Sequence, residues 1–146
     1  MEFGLSQEQT LLTDSVARFL DGEVPLDRVR RFAKEQDDTD IGRGLAGLGV
    51  PALLVPESAG GVGLACLDAA LVAETLGYHA TPAPFLGTAV ALLIAVVARD
   101  GNELLTRSAA GELRAGLALG GAIGRRGSAG VTASGGRLSG TAPFVI

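Results

Sequence analysis

Residues 45–77 read LAGLGVPALLVPESAGGVGLACLDAALVAETLG, and the fold turns on how this stretch is parsed. Its middle, residues 50–63, holds two prolines and three glycines around the apolar run Leu53-Leu54-Val55. Proline and glycine at that density interrupt helices and strands, yet three consecutive large aliphatic residues demand burial. The reading is therefore a structured loop packed into a core, not a linker. Ahead of it a short helix runs to Leu48, with Gly49 as its stop. Behind it Leu64, Leu67, Leu71 and Tyr78 recur at helical spacing and mark a helix that ends near residues 77–79.

Working outward towards the N-terminus, Ser6-Gln7-Glu8-Gln9 fits a capping box, in which a hydroxyl and a Gln side chain satisfy free N–H groups at a helix start. Leu12, Val16, Phe19 and Leu20 follow at helical spacing, predicting an amphipathic helix over residues 6–21. Pro25 is placed to open a second helix carrying Leu26, Val29 and Phe32 on one side. The run Asp37-Asp38-Thr39-Asp40 is a polar break that supplies N-caps for the next helix.

Towards the C-terminus, a turn at residues 80–84 leads into the uncharged segment 85–98. It is too short to span a bilayer, and Pro82 and Pro84 bound its start, so it reads as a buried core helix. Asn102 can cap a last short helix through about residue 110. After Glu112 the texture changes. Residues 115–119, 130–133, 137–139 and 143–146 look like short strands separated by glycine turns. Helices first and strands second predict a mainly α fold, with a helical domain over residues 1–112 and the truncated start of an antiparallel β domain over residues 113–146.

Composition narrows the function classes. The chain has 146 residues, 47% of them hydrophobic and only 4% aromatic, so the core is built mainly from Ala, Leu and Val. A net charge of −4 gives no reason to expect a nucleic-acid partner. Every acid lies at or before Glu112, leaving Arg114, Arg125, Arg126 and Arg137 in the tail, where scattered arginines read as solvated surface. Cys66 is the single cysteine, which excludes an internal disulfide and suits a reducing cytosol. Among Leu64, Ala65 and Leu67 it reads as a small buried apolar residue. His79 is also single, with no partner for a zinc site. The start, MEFGLSQEQT, lacks the basic and apolar regions of a signal peptide.

Candidate motifs yield no catalytic group. Gly42-Arg43-Gly44-Leu45-Ala46-Gly47 matches G-x-G-x-x-G, and Asp68 lies near the distance of a ribose-binding acid. That chemistry needs a strand feeding the glycine turn, and the preceding KEQDDTDI is too polar to be one. Arg125-Arg126 between Gly124 and Gly127 reads as an exposed hairpin tip. Glu57 and Glu74 read as a loop acid and a helix-surface acid, neither of them a convincing general base.

The order of segments resembles the acyl-CoA dehydrogenase family. Residues 5–9 (LSQEQ) and 16–20 (VARFL) resemble its first helix, and residues 45–77 resemble its "L-x-x-L-G … P-E-x-x-G-G-x-G" stretch and the following helix. Residues 87–105 are similar to its next helix and turn. GELRAGLAL resembles the start of its middle β domain, and Arg137-Leu138-Ser139-Gly140-Thr141 resembles its "L-x-G-T/K" strand. The resemblance implies an N-terminal helical bundle, a middle β domain and a C-terminal four-helix bundle, of which only the first would be complete in this chain. It implies FAD as cofactor, an acyl-CoA thioester as substrate, an electron-transfer acceptor, and homo- or hetero-oligomers of acyl-CoA dehydrogenase subunits. The chemistry it implies is α,β-dehydrogenation, with a carboxylate taking the α-proton while hydride leaves to the flavin. The family's base usually comes from the C-terminal bundle, so no residue of this chain is assigned as catalytic.

Carried over position by position, the resemblance maps the acyl-pocket wall onto Phe85, Thr88 and Leu92, whose i, i+3, i+7 spacing places them on one helix face. A plain core stripe has the same spacing. Flavin contacts map onto Leu117, Leu119 and Gly120 in the first strand and onto Phe144 in the later one. Two departures stand out. Ile146 takes a position where the family often has a hydroxyl, and Gly120-Gly121-Ala122-Ile123-Gly124-Arg125 replaces a polar "T-E-P-x-x-G-S-D"-like run. The alternative to an enzyme chain is thus a non-catalytic subunit that completes a partner's acyl-CoA site.

Overall fold

The computed structural model describes residues 4–35, 39–98, 102–118, 130–142 and 145. Among these described residues six helices come first: α1 (Gln7–Glu23), α2 (Leu26–Glu35), α3 (Thr39–Gly47), α4 (Cys66–Tyr78), α5 (Phe85–Ala98) and α6 (Asn102–Ala109). Two short 3₁₀ turns, Val50–Ala52 and Glu57–Ala59, punctuate the loop between α3 and α4. Strands β1 (Gly130–Ser134) and β2 (Arg137–Thr141) form one antiparallel hairpin. The mainly helical fold class expected from the sequence is the one observed.

Local signals explain the helix ends. Ser6 Oγ accepts from the Gln9 amide at 3.1 Å while Gln9 Oε1 accepts from the Ser6 amide at 3.0 Å, the reciprocal capping box. Gly49, at φ 75°, turns the chain out of α3. Both α4 and α6 close with the same Schellman pair of hydrogen bonds. In α4 the Thr81 amide donates to Leu76 O and the Ala80 amide to Gly77 O; in α6 the Glu112 amide donates to Arg107 O and the Gly111 amide to Ser108 O. The left-handed position is Gly111 in one case and Ala80 in the other, at φ 72° and 48°.

Two hydrophobic clusters hold the helices. The first joins α1, α3 and α4 through Val16, Leu20, Ile41, Leu45, Val72 and Leu76. The second joins α5 and α6 through Leu92 and Leu105. The loop links them: Leu53 enters the first cluster and Val55 the second. Each fully buried aliphatic side chain contributes roughly 1.5–3 kcal/mol of transfer free energy, so this loop rivets the domain together. Its backbone closes on itself, with the Val62 amide donating to Ala52 O, Gly63 to Val55 O and Leu64 to Leu53 O.

Several sequence expectations need correction. In α4 the buried face is Ala69, Val72 and Leu76, whereas Leu67 is 56% and Tyr78 88% exposed. The helix is apolar on most sides, so periodicity alone does not select the face that α1 covers. Cys66 is exposed at the start of α4, not buried. The α5 helix is only half interior: Gly87, Thr88 and Leu92 are buried, but Leu86, Leu93 and Ile94 face outward. The α2 helix buries no residue fully. Residues 112–117 are irregular, and among the described residues of the strands expected over 115–119 and 143–146 there is one bridge, between Ala118 and Val145. Arg125-Arg126 lies outside the described residues.

Candidate functional site: a cavity between α3 and α5

Residues 42–47 belong to α3 itself, with no strand feeding them, which removes the dinucleotide-binding geometry. Two of their glycines, Gly42 and Gly44, have a packing role. A Cβ on Gly44 would stand inside the Phe19 ring from α1, and one on Gly42 would sit 2.7 Å from Nη2 of Arg114. Small residues here let neighbouring segments close over α3.

That closure leaves a cavity of about 280 Å³ between α3, the first 3₁₀ turn, the start of α5 and the turn after α6. Leu45, Ala46, Val50, Pro51, Phe85 and Leu113 supply apolar walls; Thr88, Arg43 and Arg114 supply polar groups. Among the described residues, its lining carries two guanidinium groups and no carboxylate, imidazole or thiol. Arg43 stands 3.8 Å from Asp40, with both side chains largely exposed. Such a lining can hold an apolar segment with a polar or anionic end; it has no group suited to remove a proton.

Phe85 and Thr88 both line this cavity. Leu92 does not: it is 3% exposed and packs with Val55 and Leu105. All three residues of the predicted stripe line a smaller cleft beside the cavity, together with Pro51 and Leu54. Of the positions mapped to flavin, Leu117 is half-buried beside the Ala118–Val145 bridge. Leu119, Gly120 and Phe144 lie outside the described residues.

Sequence reasoning missed Gly42, Ala46, Gly111 and Arg114 as cavity residues. The adjacent small residues of α3 are the available signal, but their spacing points first to a nucleotide motif. Elsewhere, His79 Nε2 lies 3.1 Å from Asp21 Oδ1 and its Nδ1 2.9 Å from Thr75 O, tying the end of α4 to α1. Among the described residues no group of three or more His, Cys, Asp or Glu could hold a metal ion. Among the same residues no helix is long and apolar enough to cross a membrane.

With this geometry in place, comparison with known proteins is decisive. The family description "Acyl-CoA dehydrogenase, N-terminal domain" matches residues 6–116. The chain belongs to the acyl-CoA dehydrogenase family. It is similar to the acyl-CoA dehydrogenase IpdE2 of Mycolicibacterium smegmatis, 36% identical over 90 residues that make up 60% of this chain and 29% of that protein. The IpdE2 of Mycobacterium tuberculosis is 38% identical over 73 residues, 49% of this chain and 23% of that protein. The matched part thus spans under a third of the curated relatives' length. No solved structure matches.

Proposed function

We propose that this chain is the N-terminal part of a flavin-dependent acyl-CoA dehydrogenase-like oxidoreductase and forms one wall of its acyl-CoA site. The observation that carries this is the family match across residues 6–116, which takes in every element around the cavity lined by Phe85 and Thr88. On this reading residues 1–112 are the helical domain and residues 113–146 the start of the β domain. Bound FAD would supply the hydride acceptor and the link to an external electron acceptor, with Leu117, Leu119, Gly120 and Phe144 among the residues that would hold it, and no residue of this chain is assigned as the base for the α-proton. Phe85, Thr88 and Leu92 belong to the acyl side of the same proposal. The residues alone are inactive and work within an assembly of acyl-CoA dehydrogenase subunits. The uncovered Leu86, Leu93 and Ile94 of α5 support that part, because an outer face this apolar is typical of a surface that something else covers. A cytoplasmic setting belongs to the reading and rests on the single cysteine.

The second reading is a non-catalytic subunit that completes a partner's acyl-CoA site. Gly120-Gly121-Ala122-Ile123-Gly124 in place of a polar run favours it. One experiment separates the two. The full-length gene product is purified alone and after co-expression with a neighbouring dehydrogenase subunit, and flavin absorbance and its bleaching by a panel of acyl-CoA thioesters are followed. Flavin bound and bleached in the product alone supports the enzyme; flavin bound only on co-expression supports the subunit. Absence of both in every preparation refutes both.

A further inference from the structure

Two arginines border the cavity between α3 and α5, and little answers their charge. Arg43 projects from α3, and the Arg114 guanidinium lies over Gly42, the residue just before it. Asp40 is the one ion-pair partner of Arg43 among the described residues, at 3.8 Å, and the same carboxylate stands 3.7 Å from Arg28. Both separations exceed the roughly 2.7–2.9 Å of a charge-assisted hydrogen bond. Arg114 makes contacts of its own, and a guanidinium presents enough N–H donors to keep them and bind an anion as well.

The third polar side chain at the cavity, Thr88, is buried and engaged. Its Oγ1 accepts the Ala115 amide at 3.1 Å, and its proton has Pro84 O at 2.8 Å and Ala115 O at 3.1 Å as acceptors. The side chains left to recognise a polar ligand group are therefore both cationic. The rest of the lining is largely apolar, with Leu45, Val50, Pro51 and Phe85 among its larger members. A ligand with an apolar body and an anionic end matches both parts. Arg43 and Arg114 are exposed, so the rim is open and such a ligand reaches them without any segment moving.

Two anions fit that description, a phosphate of coenzyme A and a carboxylate on the acyl group. Size favours the second. Drug-sized ligands fill roughly 300–1,000 Å³, and a cavity of about 280 Å³ holds an acyl group without its nucleotide carrier.

We propose that the acyl group taken by this site ends in a carboxylate, remote from the thioester, and that Arg43 and Arg114 receive it. This rests on the acyl-CoA reading and narrows the substrate to monothioesters of dicarboxylic acids.

Calorimetric titration of the full-length gene product, with its neighbouring subunit where co-expression is needed, tests it. Adipyl-CoA and hexanoyl-CoA have the same chain length and differ in the terminal carboxylate. Adipyl-CoA should bind at least about fivefold more tightly, the preference shrinking in high salt. Arg43→Gln and Arg114→Gln should each lower that ratio at least about twofold, and the double variant should bring it to about one. The ratio is taken within one preparation, so a general loss of binding cancels. If the double variant does not fold, the single ones decide.

Equal affinities in the unaltered protein overturn the proposal, as does a preference that survives both substitutions. Substitutions that weaken hexanoyl-CoA as much as adipyl-CoA, yet leave hexanoyl-pantetheine untouched, assign the arginines to phosphate and also overturn it. Failure to bind either thioester is a separate result, which removes the acyl-CoA reading itself and this proposal with it.

Discussion

Gln9 Nε2 donates to Asp68 Oδ1 at 3.0 Å, joining the first turn of α1 to the first turn of α4. The same Gln9 caps α1 through its Oε1, and the same Asp68 caps α4 by accepting the Ala65 amide at 2.9 Å on Oδ2. Two helix starts 59 positions apart thus share one hydrogen-bonded unit. Asp68→Ala removes a helix cap and strands the partly buried Gln9 amide, at a cost of about 1–2 kcal/mol. Asp68→Asn, which keeps an acceptor, should lose less. Urea unfolding with an unchanged slope measures both, and equal losses would contradict the shared unit.

Two glycines in helices should respond to alanine with opposite signs. Gly22, in α1, has open space where its Cβ would be, so Gly22→Ala should gain up to about 1 kcal/mol from helix propensity. Gly44→Ala would press on the Phe19 ring, and overpacking of this kind costs about 1–3 kcal/mol, more than the propensity gain. Phe19→Leu should relieve that loss in the double variant. Thermal unfolding of the four chains tests the sign.

Ala80 occupies the left-handed position of the α4 Schellman turn, a conformation that costs a non-glycine residue about 1–2 kcal/mol. Ala80→Gly should therefore stabilise the chain by about 0.5–1 kcal/mol, net of the greater freedom of glycine in the unfolded state. Gly111→Ala, at the equivalent turn of α6, should destabilise it, because the same φ penalty is joined by the contact with Ala46. Denaturation midpoints of the two variants should move in opposite directions.

The α5 helix carries a contrast between neighbours. Leu92→Ala opens a void between Val55 and Leu105 and should cost about 2–4 kcal/mol. Ile94→Gln, at a site 51% exposed, should change stability by no more than about 0.5 kcal/mol. It should also reduce self-association, read by sedimentation of the isolated chain. A large loss of stability with Ile94→Gln would mean that the outer face is covered within the chain.

Helix order and limits were legible along the chain because the signals are local. Ser6 and Gln9 form a cap within one turn, Gly49 ends a helix by its own backbone freedom, and Pro84 precedes the start of α5. The packed loop was legible too, since Leu53, Leu54 and Val55 cannot stay in water whatever surrounds them. The family followed from the succession of such segments. Less could be read of the site: the spacing that selects Phe85 and Thr88 applies equally to Leu92, which lies at the smaller cleft and not in the lining of the larger cavity.

By itself, then, the sequence determined the order of the helices, most of their ends to within a few residues and which loop must be buried, because caps, glycines and hydropathy act over a few residues. Only the tertiary structure decided which side of α4 and α5 faces inward, that Gly42 and Gly44 make room for Arg114 and Phe19, and that the Thr88 hydroxyl is taken by Ala115. Each of those depends on residues far apart in the chain meeting in space, and an apolar helix offers several faces of nearly equal transfer free energy until a neighbour covers one.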